Sequence, residues 1–159
     1  MKRTSSVIML VAAAGIVAVT TRWVTAQPQN FTAQLAGANE VPSVPTNARG
    51  NAVLQLNDDG TELSYRVIVA NIENVRFSHI HMAPEGVNGP IVVTLYPGPT
   101  IAGRVNGVLA EGTITAADLE GPMAGLPLSA LIDRMNNGGL YINVHTDQSP
   151  PGEIRGQIK

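Results

Sequence analysis

Period two is the feature that most limits what this chain can fold into. From position 31 onward, apolar residues recur at alternate positions in short runs, and each run ends in turn-forming residues. Phe31, Ala33 and Leu35 form the first run; Ala52, Leu54 and Leu56 form the second. Asn57-Asp58-Asp59-Gly60 interrupts before Leu63, Tyr65, Val67 and Val69 resume the alternation. Successive side chains of a strand point to opposite faces, so this pattern describes half-buried strands rather than helices. Two such runs around a turn ending in Gly60 predict a β-hairpin. The hairpin also accounts for the acidic Asn57–Gly60 segment, which lacks the ligand spacing and closing glutamate of a calcium loop.

Further strands are expected at Arg76 to Met82, Ile91 to Tyr96, Val105 to Ile114, Leu140 to Thr146 and Glu153 to Ile158. Proline and glycine clusters separate them, at residues 83–90, 97–99 and 149–152. One segment has a different period. Leu128, Leu131, Ile132 and Met135 fall at i, i+3, i+4 and i+7, which predicts a short helix after Pro127, ended by Asn137-Gly138-Gly139. Thr115 is a candidate cap for a helical turn at Ala116 to Asp118. About seven short strands and one short helix in the C-terminal third predict an all-β fold, either a two-sheet β-sandwich or a Greek-key barrel.

The first residues read differently. Met1-Lys2-Arg3 is basic, Val7 to Val19 is apolar, and Val24-Thr25-Ala26 has the small-x-small pattern of a cleavage site. This is the layout of a signal peptide over residues 1–26, which implies a secreted or periplasmic protein. Arg22 and Trp23 near the cleavage position keep open a second reading, in which the segment stays as an N-terminal membrane anchor. Residues 27–159 then form a single domain of seven basic and twelve acidic residues, a net charge of −5 with histidine neutral. A mildly acidic domain with scattered charges offers no footprint for nucleic acid, and no later segment is long enough to span a membrane. There are no cysteines, so thiolate metal sites and cysteine nucleophiles are excluded.

Several motifs follow one another in order along the chain. They are Phe31-Thr32-Ala33-Gln34-Leu35-Ala36-Gly37-Ala38-Asn39-Glu40-Val41-Pro42, Leu56-Asn57-Asp58-Asp59-Gly60-Thr61, His79-Ile80-His81, Gly86-Val87-Asn88-Gly89-Pro90-Ile91-Val92, Tyr141-Ile142-Asn143-Val144-His145-Thr146 and Gly152-Glu153-Ile154-Arg155-Gly156-Gln157-Ile158. In this order they resemble the CHRD (chordin-type) domain family in the form of single bacterial exported domains, and the likeness covers about residues 31 to 158. It implies an extracellular β-sandwich module. It carries over no catalytic residues, and nothing in this chain points to growth-factor binding. Ser43 after Pro42, and Met82-Ala83 after His81, depart from the family pattern in loop detail.

The chain has three histidines. His79 and His81 share one face of their predicted strand, with Ile80 pointing to the core. His145 shares the corresponding face of a later strand with Tyr141 and Asn143, opposite Ile142 and Val144. If the strands are neighbours, three imidazoles converge on the outer surface of a sheet. Neutral imidazole is a good ligand for copper and zinc, so His79, His81 and His145 are the candidate metal ligands. Glu153, Asp147, Glu85 and Glu40 are candidates for a further ligand or a supporting hydrogen bond. Arg155, two positions from Glu153, is a candidate for steering an anion. The His-x-His strand with a later histidine resembles the copper side of Cu/Zn superoxide dismutase, but three histidines cannot supply the bridging residue and second metal site of that enzyme.

Three functions follow as alternatives. One is a non-enzymatic binding module with one copper or zinc ion. Another is an extracellular structural or adhesion domain that contacts proteins without metal. A third is a small copper oxidoreductase. A hydrogen-bonded histidine cluster without metal competes with all metal readings. Ser78-His79 and His145-Thr146-Asp147 do not make a serine hydrolase, because strand neighbours face opposite ways and there is no nucleophile elbow.

Overall fold

The computed structural model describes residues 29–159, so the signal-peptide expectation for residues 1–26 lies outside the described part. Seven strands and one α-helix follow in the order β1 (Asn30–Ala36), β2 (Arg49–Leu56), β3 (Leu63–Met82), β4 (Ile91–Tyr96), β5 (Ile101–Ile114), α1 (Leu128–Asn136), β6 (Leu140–Thr146) and β7 (Ile154–Gln157). The predicted all-β class with one short helix is what the chain adopts. Of the two architectures expected, it is the barrel. Antiparallel pairings run β1–β2–β3–β6–β7 and return to β1 through Ala36 and Arg155, which closes a ring of five strands. Reciprocal backbone bonds between Thr32 and Lys159, 2.8 and 2.9 Å, reinforce the closure. Strands β4 and β5 add to β3 outside the ring.

The hairpin forms as expected, with Leu56 opposite Leu63 and Gly60 at φ 74°. Asn57 Oδ1 accepts from the Thr61 and Glu62 amides, 3.0 Å each, so the polar turn residues bind their own backbone. Thr115 and Asp118 form a capping box. The helix buries Leu128, Leu131, Ile132 and Met135, the four residues of its predicted apolar stripe.

One expectation is corrected. The runs at 63–69 and 76–82 are a single strand of 20 residues, not two. The alternation breaks at Asn71 and Asn74, where φ is 54° and 53°, and the register with β5 shifts on both sides. Asparagine tolerates this left-handed conformation because its side chain can bond locally. The strand bends there without ending. Its first half pairs with β2 and β5, and its second half pairs with β6 and β4.

That division positions the site. The second half of β3 lies beside β6, and β6 lies beside β7. Ile80, Ile142, Val144 and Ile154 are fully buried in the barrel core. The residues between them face outward. No helix among the described residues is long and apolar enough to cross a membrane.

Candidate functional site

The register sets the outward-facing side chains in a grid. Phe77 pairs with His145, His79 with Asn143, and His81 with Tyr141. On the next strand Arg155 pairs with Asn143. The parity read from the sequence therefore holds on both strands, and the three histidines meet. One nitrogen from each lies within 4.8 Å of the others. The ring centroids are 4.9 Å apart for His79 and His145, and 5.7 Å for His79 and His81.

The expected surface location is corrected. His79, His81 and His145 are 9, 8 and 8% exposed. Loops cover this face of the barrel, and polar contacts pin them there. Asn88 donates to the Val41 carbonyl, 2.7 Å, which ties the loop after β3 to the segment after β1. Arg155 Nη1 donates to Asn88 Oδ1, 3.1 Å, and Nη2 donates to the Val87 carbonyl, 2.8 Å. The guanidinium carbon sits 3.4 Å from the centre of the Tyr141 ring, which in turn stacks on His81 at 4.9 Å and 7°. Arg155 is 1% exposed and holds loop carbonyls, so it is not an anion-steering residue on an open face.

Two backbone carbonyls orient the imidazoles. His81 Nδ1 lies 2.9 Å from the Gly89 oxygen, and His145 Nδ1 lies 2.8 Å from the Pro150 oxygen. A carbonyl only accepts, so each Nδ1 carries the proton and each Nε2 presents its lone pair. The Nε2 of His145 is 3.0 Å from Nδ1 of His79. The Nε2 of His81 is buried without a hydrogen-bond partner. Burial keeps the rings neutral. His79 is pushed down to about 4, first by desolvation and then by the neighbouring His145 and His81. Desolvation also lowers His81 and His145, against the raising effect of their carbonyl partners. Neutral imidazoles with aimed lone pairs, two of them braced by a backbone carbonyl through the other ring nitrogen, are the form in which histidine binds metal.

The four carboxylates expected nearby are not part of the cluster. Glu153 accepts from Thr46 and Thr146, 2.7 Å each, and braces the chain around β6. Asp147 is exposed, 3.7 Å from Arg76. Glu85 is exposed in the loop after β3. Glu40 is buried, and burial raises it to about 7 although the Arg155 charge pulls it down. Its Oε1 has no hydrogen-bond partner and lies against Gly152. Asn143, Tyr141 and the Gly89 and Pro150 carbonyls are the site's other components. The sequence put Tyr141 and Asn143 on the right face, but it gave no sign of the carbonyls.

The fold and site define an antiparallel β-barrel module with a loop-covered histidine cluster on its outer face. The CHRD domain model matches residues 31–158, nearly all of the described chain, and the protein belongs to the CHRD domain family. No curated protein and no solved structure matches the chain.

Proposed function

We propose that this protein is an exported, non-enzymatic binding module that holds one copper or zinc ion through His79, His81 and His145. The observation that carries the reading is the pairing of Nδ1 with backbone carbonyls at His81 and His145, which leaves nitrogen lone pairs converging in a buried space. A cluster held by hydrogen bonds alone satisfies its buried ring nitrogens as a rule. Here the buried Nε2 of His81 has no partner, a loss worth roughly 1–3 kcal/mol if nothing satisfies it. Without thiolates, an imidazole set suits copper or zinc.

The test is metal content. The purified protein is expected to take up one copper or zinc ion per chain, and the His79→Ala/His81→Ala variant none. Equal uptake by the two would sink the reading. Export is tested separately by the mass of the protein recovered outside the cytoplasm, expected to correspond to a chain beginning at Gln27. Recovery of the intact chain in the membrane fraction would favour the anchor.

A further inference from the structure

Asn143 occupies the middle of the grid, opposite His79 and between Tyr141 and His145 on β6, and it is 2% exposed. Its Nδ2 faces the Pro151 carbonyl at 3.4 Å. Its Oδ1 is buried with no hydrogen-bond partner. In neutral His81 the Nδ1 proton is already committed to Gly89, so Nε2 is an acceptor too. Two buried acceptors on the paired strands β3 and β6, His81 Nε2 and Asn143 Oδ1, thus lack a donor.

One rearrangement within the protein could relieve this, at a cost. Turning the Asn143 amide end for end would set Nδ2 toward His81, but it would point Oδ1 at the Pro151 oxygen and create a new clash of acceptors. A cation satisfies both atoms at once, since lone pairs from nitrogen and oxygen are what it binds.

We infer that Asn143 Oδ1 is the oxygen ligand that joins His79, His81 and His145 around a divalent copper or zinc ion. This deepens the metal reading above and rests on it. An amide oxygen is a neutral, weaker donor than imidazole, comparable to the weak oxygen ligands that complete some copper sites. It favours a divalent ion over copper(I), which prefers softer ligands.

The experiment compares the purified protein with Asn143→Ala and Asn143→Asp, using copper(II). Affinity is measured by competition with a chelator, and the ligand set by electron paramagnetic resonance. Melting of each metal-free protein checks the fold. Asn143→Ala is expected to bind roughly tenfold more weakly or worse, with a changed copper(II) spectrum. Asn143→Asp, which keeps the oxygen and adds charge, is expected to bind at least as tightly as the parent. Parental affinity and an unchanged spectrum in Asn143→Ala would overturn the assignment. If Asn143→Ala does not fold, Asn143→Asp decides, and binding weaker than the parent overturns it. Metal binding by the parent no better than by the His79→Ala/His81→Ala variant would remove the metal reading itself. The first failures leave a three-histidine site standing, so the outcomes are distinct.

Discussion

His79 Nδ1 lies 3.0 Å from His145 Nε2, and the far nitrogen of His145 is held 2.8 Å from the Pro150 carbonyl. The Pro150 contact fixes the proton of His145 on Nδ1, so His79 must donate to His145 when no ion is bound. This hydrogen bond links β3 to β6 across the barrel surface, and an ion between the rings would replace it with stronger bonds to both.

The first prediction follows from that replacement. Binding to the folded state alone stabilises by about 2.7 kcal/mol when the free ion is a hundred times Kd. Zinc should therefore raise the melting temperature of the parent by several degrees, and a chelator should reverse the rise. His145→Ala should show no such rise. It should also melt lower than the parent without metal, because it loses the bonds to His79 and Pro150. A zinc-dependent rise in His145→Ala equal to that of the parent would contradict the assignment of His145.

The contact between Gly152 and Glu40 carries a second prediction. Gly152 has φ 141°, and a Cβ added there would lie 2.5 Å from Glu40 Oε1 and 2.7 Å from Asn143 Nδ2. Both side chains are buried and have little room to yield. Gly152→Ala is expected to destabilise by about 1–3 kcal/mol, as other overpacked sites do. It should also weaken metal uptake by displacing the Asn143 amide. Chemical denaturation and metal titration of the same variant check both effects.

Much of this was legible in the sequence because strand parity is a local property. Ile80 between two histidines and Val144 before the third are both fully buried, and that is enough to put all three imidazoles on the opposite face. The burial of that face was not legible. It depends on Arg155 reaching Asn88 and Val87, and on Asn88 reaching Val41, contacts between residues far apart in the chain. For the same reason the sequence offers Glu153 as a further ligand or support and Arg155 for steering an anion, although each is buried among partners of its own. The long β3 strand was hidden by Asn71 and Asn74, whose left-handed backbone breaks the alternation without breaking the strand.

Arg155 is the third test. Its guanidinium bonds Asn88 and the Val87 carbonyl and covers the Tyr141 ring that stacks on His81. Arg155→Met keeps much of the volume but leaves those acceptors without their charged donor. Each such hydrogen bond contributes roughly 1.5–3 kcal/mol, so a loss of about 3 kcal/mol is expected. Arg155→Lys should recover little, because an ammonium cannot bond two separated acceptors while stacking flat on a ring. Hydrogen exchange should show faster opening of residues 84–89 in both variants, and unchanged protection there would refute the bracing role.

Glu40 and His79 make opposed contributions to stability as pH changes, and separating them is the fourth test. His79 is near 4 in the folded protein against 6.5 as a free side chain. Between those values the unfolded chain takes up the proton and the folded chain does not. The His79 contribution is therefore complete above about pH 6.5 and is lost as pH falls toward 4. Glu40 is near 7 when folded against 4.5 otherwise. Here the folded chain holds the proton, so its contribution is complete below about pH 4.5 and is lost as pH rises toward 7. The two windows overlap with opposite signs, so Glu40 offsets part of the loss that His79, His81 and His145 cause on acidification, and the stability of the metal-free parent should fall only shallowly between pH 6.5 and 4.5. Glu40→Gln removes one side of the balance. Its stability should fall on acidification through that range, with His81 and His145 adding to the slope because burial lowers them as well. At pH 7 and above the variant should be at least as stable as the parent, since it no longer buries a carboxylate. Urea denaturation of both proteins at pH 4.5, 5.5, 6.5 and 7.5 measures the difference, and parallel profiles would show that Glu40 is not held protonated beside Gly152.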